Sequence, residues 1–403
     1  MKKYDVIVAG AGVSGFAAAI GARQAGASVL LLDREHSAGG TAVYALTPVL
    51  SGWHDDRRIG GVADMLIEYL EKNNAVCWRS TTADTEEDIL QQAMLTLLEE
   101  AGVEMLFDAE LTGATCIDNR ITSIQVQHNN TIEEFTAGTF VDATGDAVLA
   151  EKAGALLSVP PAELSMTKTL MFKVKNLHSF DKVSIKKRFK EKTFPVPHQN
   201  EFMGTQLLNE NEAILNLTAA IGNAADSSEY ARMEEELAGQ IPVITEWLRR
   251  EFPEFADIEI VKIAPKMGVR YTRSIVGQRQ LSWDDMANVN PPEEPVATCG
   301  PYIGGHYING FSSPWGNAIP GNPAIPYGAL RSKNIDNLLA CGRIIDVDPR
   351  VVSAIRLCAN CMASGQAAGI AAALNIPEYS ILKKELDKQN CRLTKKETFD
   401  NEK

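Results

Sequence analysis

Tyr4-Asp5-Val6-Ile7-Val8-Ala9-Gly10-Ala11-Gly12-Val13-Ser14-Gly15 decides the fold. Tyr4 to Ala9 is a short apolar, β-branched run that reads as a buried strand, and it feeds directly into glycines that open a helical stretch reaching Ala25. Gly10 permits the tight turn, Gly12 lets backbone N–H groups approach a pyrophosphate, and Gly15 lets the helix pack close to the strand. Val13 and Ser14 stand at the helix N-terminus, whose positive field suits phosphates. Gly26 stops the helix, Ser28 to Leu32 forms a second buried strand, and Asp33 ends it about twenty residues beyond the glycines, where its carboxylate is placed to accept ribose hydroxyls. Strand, glycines, helix, strand and terminal carboxylate in this order define a dinucleotide-binding βαβ unit. The unit alone does not choose between NAD and FAD, because both present an ADP moiety to the same turn.

The rest of the chain sets limits on function. With 403 residues it can bury cores for two domains. Apolar residues at 45% and charged residues at 23% exclude a disordered or fibrous chain. Asp5 interrupts the N-terminal apolar run, so a strand is expected there and not a signal peptide. Ala363 to Leu374 is too short to cross a bilayer and reads as a buried helix. A cytoplasmic protein without membrane partners is expected. The cysteines, Cys77, Cys116, Cys299, Cys341, Cys358, Cys361 and Cys391, are odd in number and scattered, which fits reduced thiols. A net charge of -13 argues against a nucleic-acid partner. The basic run from Lys182 to Lys192 reads as a solvated helix face. Nothing suggests a metal site.

Three further stretches contain small residues where a backbone must approach a ligand. They are Arg34-Glu35-His36-Ser37-Ala38-Gly39-Gly40-Thr41, Asp142-Ala143-Thr144-Gly145-Asp146, and Asn337 to Gly342-Arg343. With Gly365-Gln366-Ala367-Ala368-Gly369 near the C-terminus, they make the chain resemble the FAD-dependent oxidoreductases that carry a glutathione-reductase type of FAD domain. The resemblance runs nearly end to end. It implies FAD contacts at Arg34, Gly39, Gly40 and Thr41, at Ala143, Thr144 and Gly145, and at Gly342 and Arg343. It also places Gly365, Gln366, Ala367 and Ala368 on a helix facing the isoalloxazine. Gly268-Val269-Arg270-Tyr271-Thr272-Arg273-Ser274-Ile275-Val276-Gly277 is similar to the Gly-x-Arg-x-x-Arg-x-Ile-x-Gly signature of one branch of that family, whose substrates are diverse. Among the elements resembling flavin contacts the only histidine is His36, so non-covalent FAD is expected. No second strand-GxGxxG-helix unit follows. A dedicated NAD(P)H domain is therefore not expected, and the electron donor or acceptor is left open.

The implied fold is α/β, a Rossmann-like FAD/NAD(P)-binding domain with an inserted mixed α+β substrate domain. Residues 1–156 and the return segment 325–377 make the FAD domain. Residues 157–324 form the insert, opening on a strand from Thr169 to Val174. Residues 378–403 form a helix with Ile381, Leu382 and Leu386 on one face, followed by a polar tail from Thr394. The implied activity is oxidation or reduction, by hydride transfer, of a small and possibly anionic molecule. A flavin monooxygenase and a non-catalytic FAD-binding or regulatory protein are the alternatives.

Arg270 and Arg273 are the candidates for holding substrate charge, and they share a face only if their segment is helical. His306 lies in an irregular stretch running from Gly300 past Pro301, Tyr302 and Ile303 to Trp315 and Tyr327. It reads either as a proton donor or as an idle loop residue. Cys358-Ala359-Asn360-Cys361 has dithiol spacing, although packing is the plainer reading. Arg350 and Arg356 are placed equally well for substrate contact and for structure.

Overall fold

The end of β1 (Lys3–Ala9), from Val6 onward, and all of β2 (Val29–Leu32) are covered on both faces, which is why these stretches are continuously apolar. In the computed structural model, which describes residues 2–300, 304–312 and 321–394, β1 is central to a seven-stranded sheet. It runs parallel to β2 on one side and to the C-terminal half of the long strand Thr131–Asp142 on the other. β2 is followed by Glu104–Leu106, and the long strand pairs in parallel with Leu338–Ala340. Helix α1 (Val13–Gln24) connects β1 to β2, the crossover that the opening stretch predicts.

The N-terminal half of Thr131–Asp142 continues into an antiparallel meander with Glu110–Ile117 and Arg120–His128. The buried side chain of Asn337 ties this meander to the returning chain. Its Oδ1 accepts from Ile121 N–H at 2.8 Å, and its Nδ2 donates to Ile121 O at 2.9 Å, just before Leu338 enters the sheet.

The small-residue helix Cys358–Ala373 lies directly on α1. A Cβ on Gly365 would sit 2.1 Å from Ser14 O, and one on Gly369 would sit 1.9 Å from Ala18 O, so glycine is what permits this close approach. Gln366 latches the pair to the next helix, Gly61–Lys72, by accepting from Val62 N–H at 2.8 Å.

The second core lies in the insert. Gly204–Gln206, Ala213–Leu215, Phe172–Lys175 and Glu259–Ile263 form, in that order, an antiparallel four-stranded sheet. The long helix Ser227–Glu251 begins at Asp226, whose carboxylate accepts from Ser228 and Glu229 N–H. Its stripe Met233, Leu237, Ile241, Ile244 and Leu248 packs into a cluster with Phe172, Phe189, Phe202, Phe252 and Phe255. Truncating one of these, such as Leu237→Ala, costs about 2–5 kcal/mol. The basic helix Lys182–Lys190 packs into this cluster through Ile185 and Phe189. Its charges are met locally: Lys186 and Lys190 pair with Glu201, and Arg188 pairs with Glu254.

The structure corrects three expectations. The insert's first strand begins at Phe172, because Lys168 and Thr169 bridge to Ala220 and Gly268 as the chain crosses between the two sheets. In the terminal helix Tyr379–Lys388, Leu382 and Leu386 are buried one turn apart, whereas Ile381, displaced by one residue around the helix, is 53% exposed. The region around His306 is not wholly irregular, since Gly305–Tyr307 pairs with Gly310–Ser312. Pro301, Tyr302, Ile303, Trp315 and the tail beyond Thr394 lie outside the described residues. All seven cysteines are free, and no helix among the described residues is long and apolar enough to cross a membrane.

Candidate active site

A cavity of about 460 Å³ runs along the C-terminal ends of β1 and β2 and under the insert. One wall is backbone. Gly10, Gly12, Val13 and Ser14 meet Gly39, Gly40 and Thr41 there, with Ala143, Thr144 and Gly145 alongside. Gly39 N–H donates to Ala11 O at 2.9 Å, which holds the second glycine element against the first.

The glycines of the first turn have different tasks. Gly10 has φ of +103°, and a Cβ there would stand 2.4 Å from Ala143 O. A Cβ on Gly15 would stand 1.7 Å from Gly10 O, so Gly15 serves packing and does not line the cavity. Gly12 has φ of -68°, which any residue can adopt, and a Cβ there would meet only Gly40 Cα at 3.7 Å. The protein has room for that atom. Glycine at position 12 leaves the space to a ligand instead.

Side chains fix this wall from behind. Asp33 accepts from Ala11 N–H and Glu35 N–H, tying the end of β2 to the glycine turn, and burial raises its carboxyl above the usual range. Asp142, fully buried, accepts from Thr144 N–H, the Thr144 hydroxyl and Ala150 N–H, which shapes the turn through Ala143 and Gly145. Arg343 joins three elements. It donates to Gly145 O at 2.6 Å, Asp146 Oδ1 at 3.2 Å and Thr41 Oγ1 at 3.4 Å. Gly342 lies behind the cavity, where its N–H donates to Ser364 Oγ at 3.1 Å. Arg34 lines the cavity with its side chain 63% exposed.

Gly365, Gln366, Ala367 and Ala368 are not at the cavity. Packing against α1 and Gly61–Lys72 consumes that face of their helix. The start of the helix borders the cavity instead, through Arg356, Leu357, Cys358 and Cys361. Burial pushes the Cys358 thiol up to about 11 and Cys361 to about 12, so both are protonated at neutral pH.

The opposite wall belongs to the insert. Arg270 is 8% exposed and donates to Thr167 O at 2.6 Å and Asn216 Oδ1 at 3.5 Å, both neutral acceptors. Burial and the charge of Arg356 pull its guanidinium down to about 9, and it remains a cation at neutral pH. Arg356 reaches Gly304 O at 3.4 Å. His306 lies on the same wall, buried, and its imidazole is held well below its ordinary value by burial and then by Arg270 and Arg356. It is therefore neutral at physiological pH. Lys168, 1% exposed and close to Arg270, is brought down to about 8 by burial and that neighbour.

Arg273 does not join this group. The segment carrying both arginines is not helical, so residues three apart diverge. Arg273 makes a two-pronged pair with Glu151, at 2.5 and 2.8 Å, and donates to Asp146 O at 2.8 Å, and it does not line the cavity.

Sequence reasoning missed the residues that complete the insert wall: Thr169, Met171, Met203, Ile214, Asn216 and Met267. Met171 had a signal, since it alternates with the core-facing Phe172. The others come from segments far apart in the chain and had none.

The fold and the glycine cradle together define a dinucleotide-binding flavoprotein of the oxidoreductase class. Residues 5–393 match the model of the FAD dependent oxidoreductase family, and the chain belongs to that family. It is an FAD-dependent enzyme. Protein FixC of Escherichia coli strain K12 is 23% identical over 318 residues, covering 71% of this chain and 70% of that protein. Among solved structures, a geranylgeranyl bacteriochlorophyll reductase-like protein from Thermoplasma acidophilum superposes with a TM-score of 0.52 at 14% identity, over 98% of this chain and 85% of that one. The p-nitrophenol 4-monooxygenase PnpA from Pseudomonas putida DLL-E4 gives 0.52 at 11% identity, over 97% and 84%. Both carry the same fold.

Proposed function

We propose that this enzyme exchanges hydride between FAD and a small anionic substrate bound under the insert. The observation that carries the reading is Arg270: a buried cation on the cavity wall, beside Arg356 and His306, whose described acceptors are all neutral. FAD, when bound, supplies the two-electron hydride chemistry. The residues for holding it non-covalently are Gly10, Gly12, Val13, Ser14 and Asp33 at the ADP end, then Gly39, Gly40, Thr41, Ala143 to Gly145 and Arg343 along the cradle. The open space at Gly12 and the unobstructed Gly12–Gly40 contact fit such a group.

The side chains across the cavity do the rest. Arg270 neutralises the substrate's charge and sets its orientation. His306 stands beside Arg270 on this wall as a neutral imidazole. Closure by the insert limits water around the reacting atoms. Anaerobic reduction of the holoenzyme by a panel of anionic and neutral metabolites tests this, with Arg270→Gln predicted to lose the anionic substrate while keeping FAD.

A second reading is oxygen insertion, which the apolar lining at Met171, Ile214 and Val269 favours because such chemistry needs a dry pocket. Substrate-dependent oxygen consumption with NAD(P)H would select it.

A further inference from the structure

We propose that the cavity recognises an apolar-bodied monocarboxylic acid, with the carboxylate on Arg270 and the body along the methionine-rich wall of the insert. This rests on the preceding reading for where the substrate lies, and adds its chemical class.

The wall consists of Met171, Met203, Ile214, Met267 and Val269. All come from residues 157–324, as Arg270 does, so the charged and apolar parts of the site are supplied by the same stretch of chain. Ile214 lies in the strand Ala213–Leu215 and Asn216 just follows it. Asn216 N–H donates to Met203 O at 2.8 Å, and its Oδ1 accepts from the Arg270 guanidinium. A carboxylate on Arg270 therefore has an apolar surface within the reach of a few methylene groups. Unbranched thioethers make this wall adaptable to different body shapes.

Charge distribution argues against a second anionic group on the ligand. Such a group would lie on the apolar wall at a desolvation cost. Arg356 lies beside Arg270 at the carboxylate end. Lys182 and Lys266, the other insert cations lining the cavity, have Asp84 and Glu35 as counter-charges. Arg270 lacks one: its described acceptors are a carbonyl and an amide oxygen.

The test uses holoenzyme and straight-chain carboxylates from acetate to octanoate, with octanamide and succinate as controls. Binding is read by calorimetry and by perturbation of the flavin spectrum, neither of which requires turnover. Affinity is expected to rise about fourfold per methylene until the wall is filled. Octanamide should bind at least tenfold more weakly than octanoate, the effect of losing a charge-assisted contact. Arg270→Gln should bring octanoate to the amide's level. Met203→Gln, on the half-buried part of the wall, should flatten the chain-length dependence with FAD content unchanged, which provides a check if Arg270→Gln fails to fold. Affinity independent of chain length, an amide equal to the acid, or succinate binding more tightly than octanoate would each overturn the proposal. Tight octanoate binding by an enzyme that never exchanges hydride with carboxylates would refute the functional reading while leaving this ligand class standing. Flavin reduction by a dianionic compound such as a phosphate ester, lost in Arg270→Gln, with no monocarboxylate bound, would do the reverse.

Discussion

Gly12 and Gly40 meet backbone to backbone, but unequally: a Cβ on Gly40 would fall 2.7 Å from Gly12 Cα, whereas one on Gly12 would stand 3.7 Å from Gly40 Cα. The two positions therefore separate fold from cofactor. Gly12→Val should leave a folded chain that loses FAD, since its methyl groups enter the space reserved for the pyrophosphate. Gly40→Ala should instead destabilise the protein by roughly 1–3 kcal/mol or more, from the positive φ and the clash with Gly12 Cα. Thermal unfolding beside the absorbance of bound flavin distinguishes them. Stoichiometric FAD in the Gly12 variant would show that the phosphates lie elsewhere.

Arg273 and Arg270 should part company in kinetics. Arg273→Gln removes the Glu151 pair that joins the insert to the helix Val148–Lys152, and should lower stability by about 1 kcal/mol with kcat/KM nearly unchanged. The Glu151 carboxyl is held below its usual value first by its hydrogen bond to Arg273. Its contribution is present above the unfolded value near 4.5 and is lost as pH falls through the lowered one. The difference in unfolding temperature between wild type and variant should therefore shrink in acid. A tenfold fall in kcat/KM would place Arg273 at the substrate.

These contrasts mark what the sequence made legible. The cradle could be read because its contacts are local: strand, turn and helix are contiguous, and each small residue marks a backbone approach. Arg270 and Arg273 looked equivalent because a signature carries no direction, and only the non-helical path between them sends one to the cavity and the other to Glu151. Gly365 to Ala368 lie against α1 and not on the described cavity for a related reason. Small residues mark close packing, but they do not say whether the neighbour is a ligand or, as here, α1.

The neutral state of His306 predicts a pH signature. Its folded-state value lies well below the ordinary 6.5, so the unfolded chain takes up the proton more readily. The stability that His306 provides is complete above pH 6.5 and is lost as pH falls below it. Wild type should lose unfolding temperature between pH 7 and pH 5, and His306→Gln should lose less. The pH profile of kcat should show no step near 6.5 assignable to this residue. Such a step, abolished in His306→Gln, would restore it as a titrating proton donor.

Cys358 and Cys361 border the cavity with both thiols pushed far above neutrality by burial. Cys358→Ser with Cys361→Ser should retain FAD and at least half of the activity, and thiol counts in the denatured protein should not change between oxidised and reduced enzyme. Loss of two titratable thiols on oxidation would reveal a dithiol partner for the flavin.

The most direct measurement is anaerobic mixing of holoenzyme with carboxylates and their neutral amides, following bleaching of the flavin's visible band in wild type and Arg270→Gln. The account predicts rapid bleaching of wild type by at least one carboxylate, none by its amide, and a loss of tenfold or more in the rate per molar substrate for the variant with FAD fully bound. Equal rates in wild type and variant, or faster bleaching by the amides, would contradict it.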